Sequence, residues 1–233
     1  MGSHPHPGLV TAHRFFSGTG LSYDLVAFLC TAGFDLYWKK RILDKIPPLP
    51  RHIIDQACGT GILTFRMADR FPSCRVTGVE LRNEYLDIAK KKAKAHKAIR
   101  VDFILGRAED VRLKSPVDCI TSSYLAKYAE MKPLIQNAKV MLRSRGVMVV
   151  HDFTYPSSPL FLPMWKIYFQ ILKNLGSRAF PQWQTVFHEL PEFLRKSRWL
   201  PETIQHLKEN EFSDIRVESL TLGTSAIVTA TKP

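Results

Sequence analysis

The feature that most constrains the fold is a regular alternation of apolar strand-like runs and helical segments between residues 52 and 150. Strand patterns fall at 52–58, 75–80, 101–105, 117–123 and 147–150, and helical patterns at 62–71, 83–96 and 131–142. Strands that alternate with helices of about 10 to 15 residues are typical of βαβ units around a parallel sheet. The unbroken apolar run at 147–150 indicates a strand covered on both faces. We therefore predict a doubly wound α/β domain with a mostly parallel sheet.

Outside this region the pattern changes twice. Residues 24–46 predict one N-terminal helix, which the prolines at 47, 48 and 50 end. A stretch rich in Pro, aromatic and basic residues then interrupts the alternation, which resumes with a helix at 201–210 and strands at 215–220 and 226–230. This makes seven strands in a single domain of four parts. The parts are an N-terminal helical lid (1–50), a ligand-binding core (51–153), a helical insertion (154–200) and the C-terminal strands of the core (201–233).

Composition limits the class of protein. Of the 233 residues, 45% are hydrophobic and 23% are charged, which is typical of a globular chain and excludes a disordered one. The net charge of +12 predicts an anionic partner: nucleic acid, a membrane surface or an acidic ligand. The four cysteines include no CxxC pair, which indicates a reduced intracellular protein without zinc. We find no signal core in residues 1–8 and no apolar run long enough for a membrane span.

A short glycine motif stands between the first predicted strand and helix. It runs Asp55-Gln56-Ala57-Cys58-Gly59-Thr60-Gly61. Glycines at such a turn allow the backbone to approach a ligand closely, and the helix that follows offers free N–H groups. Thr64 stands at the third glycine position of a dinucleotide-binding motif, and no Gly-Lys-Ser/Thr follows for a phosphate loop. The motif alone indicates a ligand-binding βα turn.

Polar residues follow three further predicted strands. Glu80 ends the second strand, where a carboxylate can accept hydrogen bonds from both hydroxyls of a ribose. Residues 107–110, Arg-Ala-Glu-Asp, follow the third strand, and Ser122 and Ser123 end the fourth. Open α/β sheets bind ligands at the carboxyl ends of their strands, so these residues predict a site at one edge of the sheet.

Together these residues resemble class I S-adenosylmethionine-dependent methyltransferases, and more narrowly the ubiquinone/menaquinone biosynthesis C-methyltransferases. The resemblance runs from about residue 20 to 232. Its further motifs are Tyr23-Asp24-Leu25, Gly33-x-Asp35-x-x-Trp38-Lys39, the fourth strand Val117-Asp118-Cys119-Ile120-Thr121-x-Ser123, Asp152-Phe153, and a C-terminal pattern from Leu190 through Arg198, Pro201, Leu207 and Phe212 to Gly223. The resemblance implies a Rossmann-like seven-stranded fold, S-adenosylmethionine as cofactor and no metal.

The resemblance also implies which residues meet the cofactor. Asp55, Gly59 and Gly61 would approach its methionine portion. The other contacts would be Thr60, Glu80, Arg107, Ala108, Glu109 and Ser123. Arg107 departs from the neutral polar residue that the family often has there. A surface position for Arg107 and a strand-end position for Ser123 remain alternatives.

Methyl transfer to a phenol or quinol ring carbon is favoured when a ring hydroxyl loses its proton, which an isolated phenol does near pH 10. A base, or a cation that stabilises the phenolate, is therefore useful. The predicted catalytic residues are Tyr124, Lys127, His151 and Asp152, at the ends of the fourth and fifth strands. The quinone enzymes usually have Arg-Asn where this chain has Lys127-Tyr128, which leaves the acceptor open. Exposed or packing roles are the alternatives for these residues.

The insertion and the basic clusters bear on partners. Apolar residues between 160 and 172 are too many for one helical stripe and alternate with lysines, which indicates a lid over an apolar acceptor, contact with an anionic membrane surface, or a helix buried on two sides. The lysine run at 90–94 lacks the aromatic residues that stack bases, so nucleic acid is disfavoured. The sequence says nothing about the oligomeric state.

We thus predict a cytoplasmic S-adenosylmethionine-dependent methyltransferase, with association with the inner face of a membrane left open. Its acceptor would be a small aromatic or polyprenyl quinol-like molecule methylated on carbon. Three alternatives remain: transfer of another group in quinone biosynthesis, as in rhodoquinone-forming enzymes; RNA methylation; and a non-catalytic protein that binds the cofactor.

Overall fold

A computed structural model of the protein, which describes residues 6–233, contains one seven-stranded sheet in the order β3-β2-β1-β4-β5-β7-β6. The strands are β1 (His52–Gln56), β2 (Arg75–Glu80), β3 (Val101–Leu105), β4 (Val117–Ser123), β5 (Leu142–Phe153), β6 (Ser213–Leu220) and β7 (Ser225–Thr231). The first five are parallel, and β7 runs antiparallel to both β5 and β6. The predicted mostly parallel, seven-stranded α/β sheet is confirmed.

Ten helices accompany the sheet within residues 6–233. They are α1 (Pro7–Phe16), α2 (Tyr23–Cys30), α3 (Phe34–Leu43), α4 (Ile62–Arg70), α5 (Asn83–Ala95), α6 (Met131–Met141), α7 (Leu162–Ile171), the short α8 (Ser177–Ala179), α9 (Gln184–Lys196) and α10 (Trp199–Glu209). A π-helical turn, Leu172–Gly176, joins α7 to α8. In the described chain, none of these helices combines the length and the apolar character that crossing a bilayer demands.

The N-terminal region differs from the prediction of one helix over 24–46. The chain leaves the helix at Ala32 and Gly33, whose φ angles are 49° and 81°, and starts α3 at Phe34. The Gly33 N–H donates to the Phe28 carbonyl at 2.9 Å, which closes α2 in the manner common where a glycine follows a helix. The helix α1 was not predicted at all. The start of the chain, residues 1–5, for which no signal core was expected, lies outside the described residues.

Two apolar clusters cover the faces of the sheet. On one face α6 and α10 pack through Leu134, Ile135 and Leu207, and on the other α3 and α4 pack through Trp38 and Met67. Helices therefore cover both faces of the sheet with apolar side chains, as the apolar runs of the sequence predicted.

A third cluster joins the N-terminal helices to the residues between β5 and α10. Phe15 of α1 and Val26 of α2 pack against Trp165 of α7 and against Phe187 and Leu190 of α9. These helices form one cap above the carboxyl ends of the strands. The cap therefore closes over the edge of the sheet where the sequence predicted a binding site.

Candidate active site

The glycine loop adopts a backbone that only small residues accept easily. Gly59 and Gly61 have φ angles of 59° and 90°, in the left-handed region where a side chain is disfavoured. A Cβ built on Gly61 would overlap the ring of Phe65, so a larger residue here would also displace that ring. The loop ends directly at α4, whose first N–H groups are free to meet a ligand.

Glu80 lies at the end of β2 beside this loop. Its Oε2 accepts a hydrogen bond from the Gly59 N–H and its Oε1 accepts one from the Arg82 N–H, each at 2.9 Å. Burial raises the pKa of the Glu80 carboxyl, and these backbone donors partly offset the rise. A carboxylate has about four lone-pair sites, so Glu80 keeps two of them for further donors such as the hydroxyls of a ribose.

Asp55 lies below the loop and contacts its own scaffold. One oxygen accepts from the Thr64 hydroxyl at 2.6 Å and the other from the Thr121 hydroxyl at 3.0 Å. Complete burial raises the pKa of Asp55 to about 6, although both hydroxyls act in the opposite direction. Asp55 therefore ties β1, β4 and α4 together at the base of the site.

The loop is also held from above. The Thr60 hydroxyl donates to Asp24 of α2 at 2.5 Å, and the Lys92 ammonium bonds the other oxygen of Asp24 at 2.5 Å. The sequence had suggested Thr60 as a cofactor contact. In the structure the side chains of Thr60 and Lys92 hold the N-terminal cap against the core through Asp24.

A cavity of about 100 Å³ opens between Gly59, Glu80 and the end of β4. Ser123 and Tyr124 line it, together with Arg82, four aliphatic residues and four more aromatic residues, Phe16, Tyr23, Tyr85 and Tyr128. Electron-rich ring faces beside one carboxylate suit a cationic ligand such as a sulfonium. The residues present therefore fit S-adenosylmethionine.

A smaller cavity of about 50 Å³ adjoins the first and is lined by Arg107, Ala108 and Glu109. Its other wall comes from α1, through Leu9 and Ala12. The guanidinium of Arg107 donates to Glu130 at 2.7 Å and lies 3.8 Å from Glu109. Both cavities are small for a cofactor, since ligand pockets usually measure about 300–1,000 Å³, and the packing of α1 accounts for this.

Three of the predicted catalytic residues, Lys127, His151 and Asp152, form a buried polar group behind Tyr124. Lys127 and Asp152 form an ion pair at 2.5 Å in which both side chains are almost fully buried. The Lys127 ammonium also donates to the Tyr124 carbonyl at 3.2 Å. Burial lowers the pKa of Lys127, and the charge of Asp152 partly restores it.

His151 is completely buried, and both of its ring nitrogens are occupied. Nδ1 lies 3.0 Å from the Ser123 hydroxyl and Nε2 lies 2.7 Å from the Ser225 hydroxyl. Burial holds the pKa of His151 well below its usual value, and the positive charges of Lys39 and Lys127 add to this effect. The ring is therefore neutral at physiological pH.

Tyr124 has an unusual backbone for a bulky residue, with a φ of 65°. Its hydroxyl donates to Asp35 of α3 at 2.6 Å, and burial raises its pKa well above the usual value. Non-glycine residues in this conformation cost about 1–3 kcal/mol and cluster at functional sites.

A larger cavity of about 430 Å³ lies on the other side of Tyr124 and is almost entirely apolar. It is bounded by the turn between α2 and α3, by α7 and by the end of β5. Its lining includes Ala32, Phe34, Trp38, Phe153, Met164, Ile167 and Ile171. The ring of Phe153 stacks on the ring of Tyr124, so this pair separates the two cavities.

The structure thus brings most of the predicted site residues to one edge of the sheet. Gly59, Glu80, Ser123 and Tyr124 share one cavity, Arg107 to Glu109 line the next, and Lys127, His151 and Asp152 stand behind Tyr124. The sequence analysis placed Asp35 and Lys39 in a motif of the N-terminal helix but did not predict their contacts with Tyr124 and Ser123. Their spacing of four residues on one predicted helix was the available signal.

The strand order, with an antiparallel β7, and the glycine loop with its acidic partner Glu80 define a class I S-adenosylmethionine-dependent methyltransferase. Solved structures agree on the fold. A geranyl diphosphate C-methyltransferase from Streptomyces coelicolor, in complex with Mg²⁺, geranyl diphosphate and S-adenosyl-L-homocysteine, superposes with a TM-score of 0.63 at 14% identity over 85% of this chain and 79% of its own.

The chain belongs to the ubiE/COQ5 methyltransferase family, whose sequence profile matches residues 10–232. A demethylmenaquinone methyltransferase of Thermus thermophilus is 29% identical over 94% of this chain and 100% of its own length. A mitochondrial 2-methoxy-6-polyprenyl-1,4-benzoquinol methylase of Caenorhabditis elegans is 26% identical over 95% of this chain and 79% of its own. The predicted enzyme class, family and cofactor are confirmed.

Proposed function

We propose that this methyltransferase transfers the methyl group of S-adenosylmethionine to a ring carbon of a quinol that carries an isoprenoid tail. The single observation that carries this proposal is the apolar cavity of about 430 Å³. The stacked rings of Tyr124 and Phe153 separate it from the cavity of about 100 Å³ beside Glu80, the cofactor-side cavity. An apolar cavity of this size suits a substituted aromatic ring with part of a hydrocarbon tail. The names of the two relatives support a quinol acceptor.

The cofactor supplies an activated methyl group on a cationic sulfonium. In this chain Glu80 would bind the ribose hydroxyls, and Gly59, Thr60 and Gly61 would meet the methionine portion above Asp55. Residues 107–109 would border the adenine, with Ser123 at the inner end of the site. Asp55 would support these contacts, because its two buried hydrogen bonds hold the loop in place.

The reaction replaces one ring C–H bond of the acceptor by a C–CH₃ bond, so one proton is released overall. The acceptor hydroxyl releases a proton to give a phenolate, the ring carbon bonds the methyl group, and that carbon then loses its own proton while the hydroxyl is restored. The net products are the methylated quinol, S-adenosylhomocysteine and one proton. Only the first and last of these steps are proton transfers that an acid, a base or a cation of the protein would assist.

The buried residues suit that task. The Lys127 ammonium lies 5.5 Å from the centroid of the Tyr124 ring and 5.2 Å from that of Phe153, close to where the acceptor would meet the cofactor. In a buried site a cation at this distance favours a phenolate far more than it would in water. Asp152 fixes this ammonium, while the neutral His151 and Tyr124 shape the wall on which the ring would lie.

We further propose that the acceptor arrives from an anionic membrane surface. Met164 and Ile167 of α7 line the apolar cavity and are also exposed to solvent, and Lys166 lies between them in sequence. An exposed apolar rim with interspersed lysines is the pattern expected of a surface that rests on anionic lipid. The tail of a prenylated quinol could then pass from the bilayer into the cavity.

Calorimetric titration with S-adenosylmethionine tests the core of the proposal, with Glu80→Ala expected to abolish measurable binding and the exposed Asp87→Asn on α5 expected to leave it unchanged. Turnover with a soluble prenylated quinol is then followed by product mass. A gain of one CH₂ supports methyl transfer, and any other gain supports transfer of a different group. A folded protein that neither binds the cofactor nor responds to Glu80→Ala would contradict the proposal.

A further inference from the structure

Lys39 of α3 is buried beneath the site, although its neighbour Lys40 is exposed. The side chain of Lys39 is only 5% exposed, and its ammonium lies 3.0 Å from Asp35 Oδ1. It donates to the Ser123 hydroxyl at 3.1 Å and lies 4.1 Å from the centroid of the Tyr124 ring. Its three N–H bonds therefore have an acceptor or a ring face each.

The charge of Lys39 sets the direction of a chain of hydrogen bonds. An ammonium can only donate, so the Ser123 oxygen accepts from Lys39. Among the described residues, Nδ1 of His151 is the one other partner of the Ser123 hydroxyl, so its proton is assigned to the bond to Nδ1. Nδ1 is then unprotonated, because it accepts. The proton of the neutral ring stands on Nε2, which donates to Ser225 at 2.7 Å.

A second branch leaves Lys39 through Asp35. The same oxygen of Asp35 that pairs with Lys39 also accepts from the Tyr124 hydroxyl at 2.6 Å. The positive charge of Lys39 and the hydroxyl of Tyr124 together lower the pKa of Asp35 against the effect of burial, which keeps it an acceptor. The hydroxyl of Tyr124 therefore points towards α3 and away from Glu80.

We propose that Lys39 is the positioning residue of this site: it fixes the tautomer of His151 through Ser123 and the orientation of Tyr124 through Asp35. Lys39 lines neither cavity, whereas Ser123 and Tyr124 both line the cofactor-side cavity. It therefore acts on the wall at which cofactor and acceptor would meet, and touches neither of them. Its effect on turnover rests on the proposed function, but its effect on His151 does not.

Nitrogen-15 NMR of histidine-labelled protein, without cofactor or acceptor, tests the assignment directly. The signals of His151 are identified by their loss in His151→Gln. We expect the unmodified protein to show the Nε2–H tautomer alone at neutral pH. Lys39→Met removes the obligatory donor, so Ser123 becomes free to turn and the Nδ1–H tautomer should appear as well. Lys40→Met, one residue along the same helix, should leave the spectrum unchanged.

Ser123→Ala provides a second route should Lys39→Met fail to fold, because it removes the bridge and leaves the ammonium with Asp35. Both tautomers of His151 should be present in this variant too. The double variant Lys39→Met/Ser123→Ala should show the same tautomer populations as Ser123→Ala alone. In turnover assays we expect Lys39→Met to lower kcat about a hundredfold, as small misplacements of a reacting group do, with KM for the cofactor changed less than twofold.

An unmodified protein with His151 as the Nδ1–H tautomer or as a cation would overturn the proposal. So would a single Nε2–H tautomer in folded Lys39→Met, or in Ser123→Ala if Lys39→Met does not fold. Either result would leave the cofactor titration of the proposed function untouched. Conversely, failure to bind S-adenosylmethionine would not alter the NMR result, so the two proposals fail separately.

Discussion

Tyr124 and Phe153 stack with their ring centroids 4.7 Å apart and their planes 11° from parallel, and together they form the wall between the cofactor-side cavity and the apolar cavity. Two stacked rings are roughly 7 Å thick, at about 3.5 Å for each ring. Methyl transfer needs the reacting atoms about 3–3.5 Å apart. The acceptor ring must therefore displace one of these two side chains when it binds.

Phe153→Ala removes half of this wall. We expect the free energy of unfolding to fall by about 2–3 kcal/mol, less than for a fully buried Phe, and KM for a prenylated quinol to fall because the acceptor ring no longer has to displace a side chain. The cofactor affinity should stay the same. Urea unfolding, quinol kinetics and cofactor titration give the three values.

Phe103→Ala on β3 is the control for Phe153→Ala. Phe103 is also partly buried but lines neither cavity, so it should lower the stability without changing KM for the quinol. Equal changes in KM for the two variants would show that the wall has no special part in binding the acceptor.

The Lys127–Asp152 pair gives a prediction that separates stability from activity. Lys127→Met leaves the buried Asp152 without its partner and should cost about 3–5 kcal/mol in the free energy of unfolding. Adding Asp152→Asn removes the orphaned charge. The amide oxygen can accept from only one of the N–H groups of Lys127 and Phe153, which bond different oxygens of Asp152. Part of the stability should return, while turnover stays lost.

Denaturation curves and turnover rates of the two single variants and the double variant test this account. Full activity in a stable double variant would remove Lys127 from the proposed chemistry. An unstable double variant would instead show that the pair itself, and not the orphaned charge, stabilises the fold.

Asp55 makes the stability depend on pH in an unusual direction. Its pKa of about 6 in the folded protein lies above the value of about 3.9 expected in the unfolded chain, so the native state binds more protons between these two values. The contribution of Asp55 to the free energy of unfolding is therefore greatest below about pH 4 and falls by roughly 3 kcal/mol as the pH rises through 6.

Asp55→Asn does not titrate and should abolish this trend. We expect the difference in stability between wild type and Asp55→Asn to shift in favour of the variant between pH 4 and pH 7, by the amount given above. Urea unfolding at several pH values measures it. A difference that is constant with pH would mean that burial does not raise the pKa of Asp55.

The proposed membrane contact is tested with two side chains of nearly equal exposure. Ile167 of α7 is 62% exposed at the rim of the apolar cavity, and Val140 of α6 is 63% exposed and lies in neither cavity wall. We expect Ile167→Asp to reduce co-sedimentation with anionic vesicles about tenfold or more, because a charge then meets the lipid, and Val140→Asp to have little effect. Equal binding to vesicles of neutral lipid would count against the charge-based part of the proposal.

Much of the sheet follows from local patterns. The predicted bounds of β3 and β4 match the structure, and the turn-forming residues Gly106 and Pro116 mark the end of β3 and the start of β4. The position of Glu80 at the end of β2 was also predicted, because it depends only on the pattern of that strand. The break at Ala32 and Gly33 was missed, since a single glycine within a helical pattern is usually tolerated.

The details of the site depend on residues distant in the chain. Lys39 and Lys40 look alike in the sequence, and only the packing of α3 against β4 buries one and exposes the other. Arg107 likewise pairs with Glu130 across two loops. Local spacing signals the Asp35–Lys39 pair, but the burial of Lys39 and the pairing of Arg107 with Glu130 arise from the tertiary structure.

The three-residue turn between α2 and α3 has a consequence for the order of binding. Ala32 in this turn lines the apolar cavity. On one side of the turn, Asp24 of α2 bonds Thr60 of the glycine loop. On the other side, Lys39 of α3 bonds Ser123. We expect an acceptor that displaces this turn to move one of the two helices joined there. Binding of the acceptor would then affect binding of the cofactor, and an ordered kinetic mechanism is the expected result.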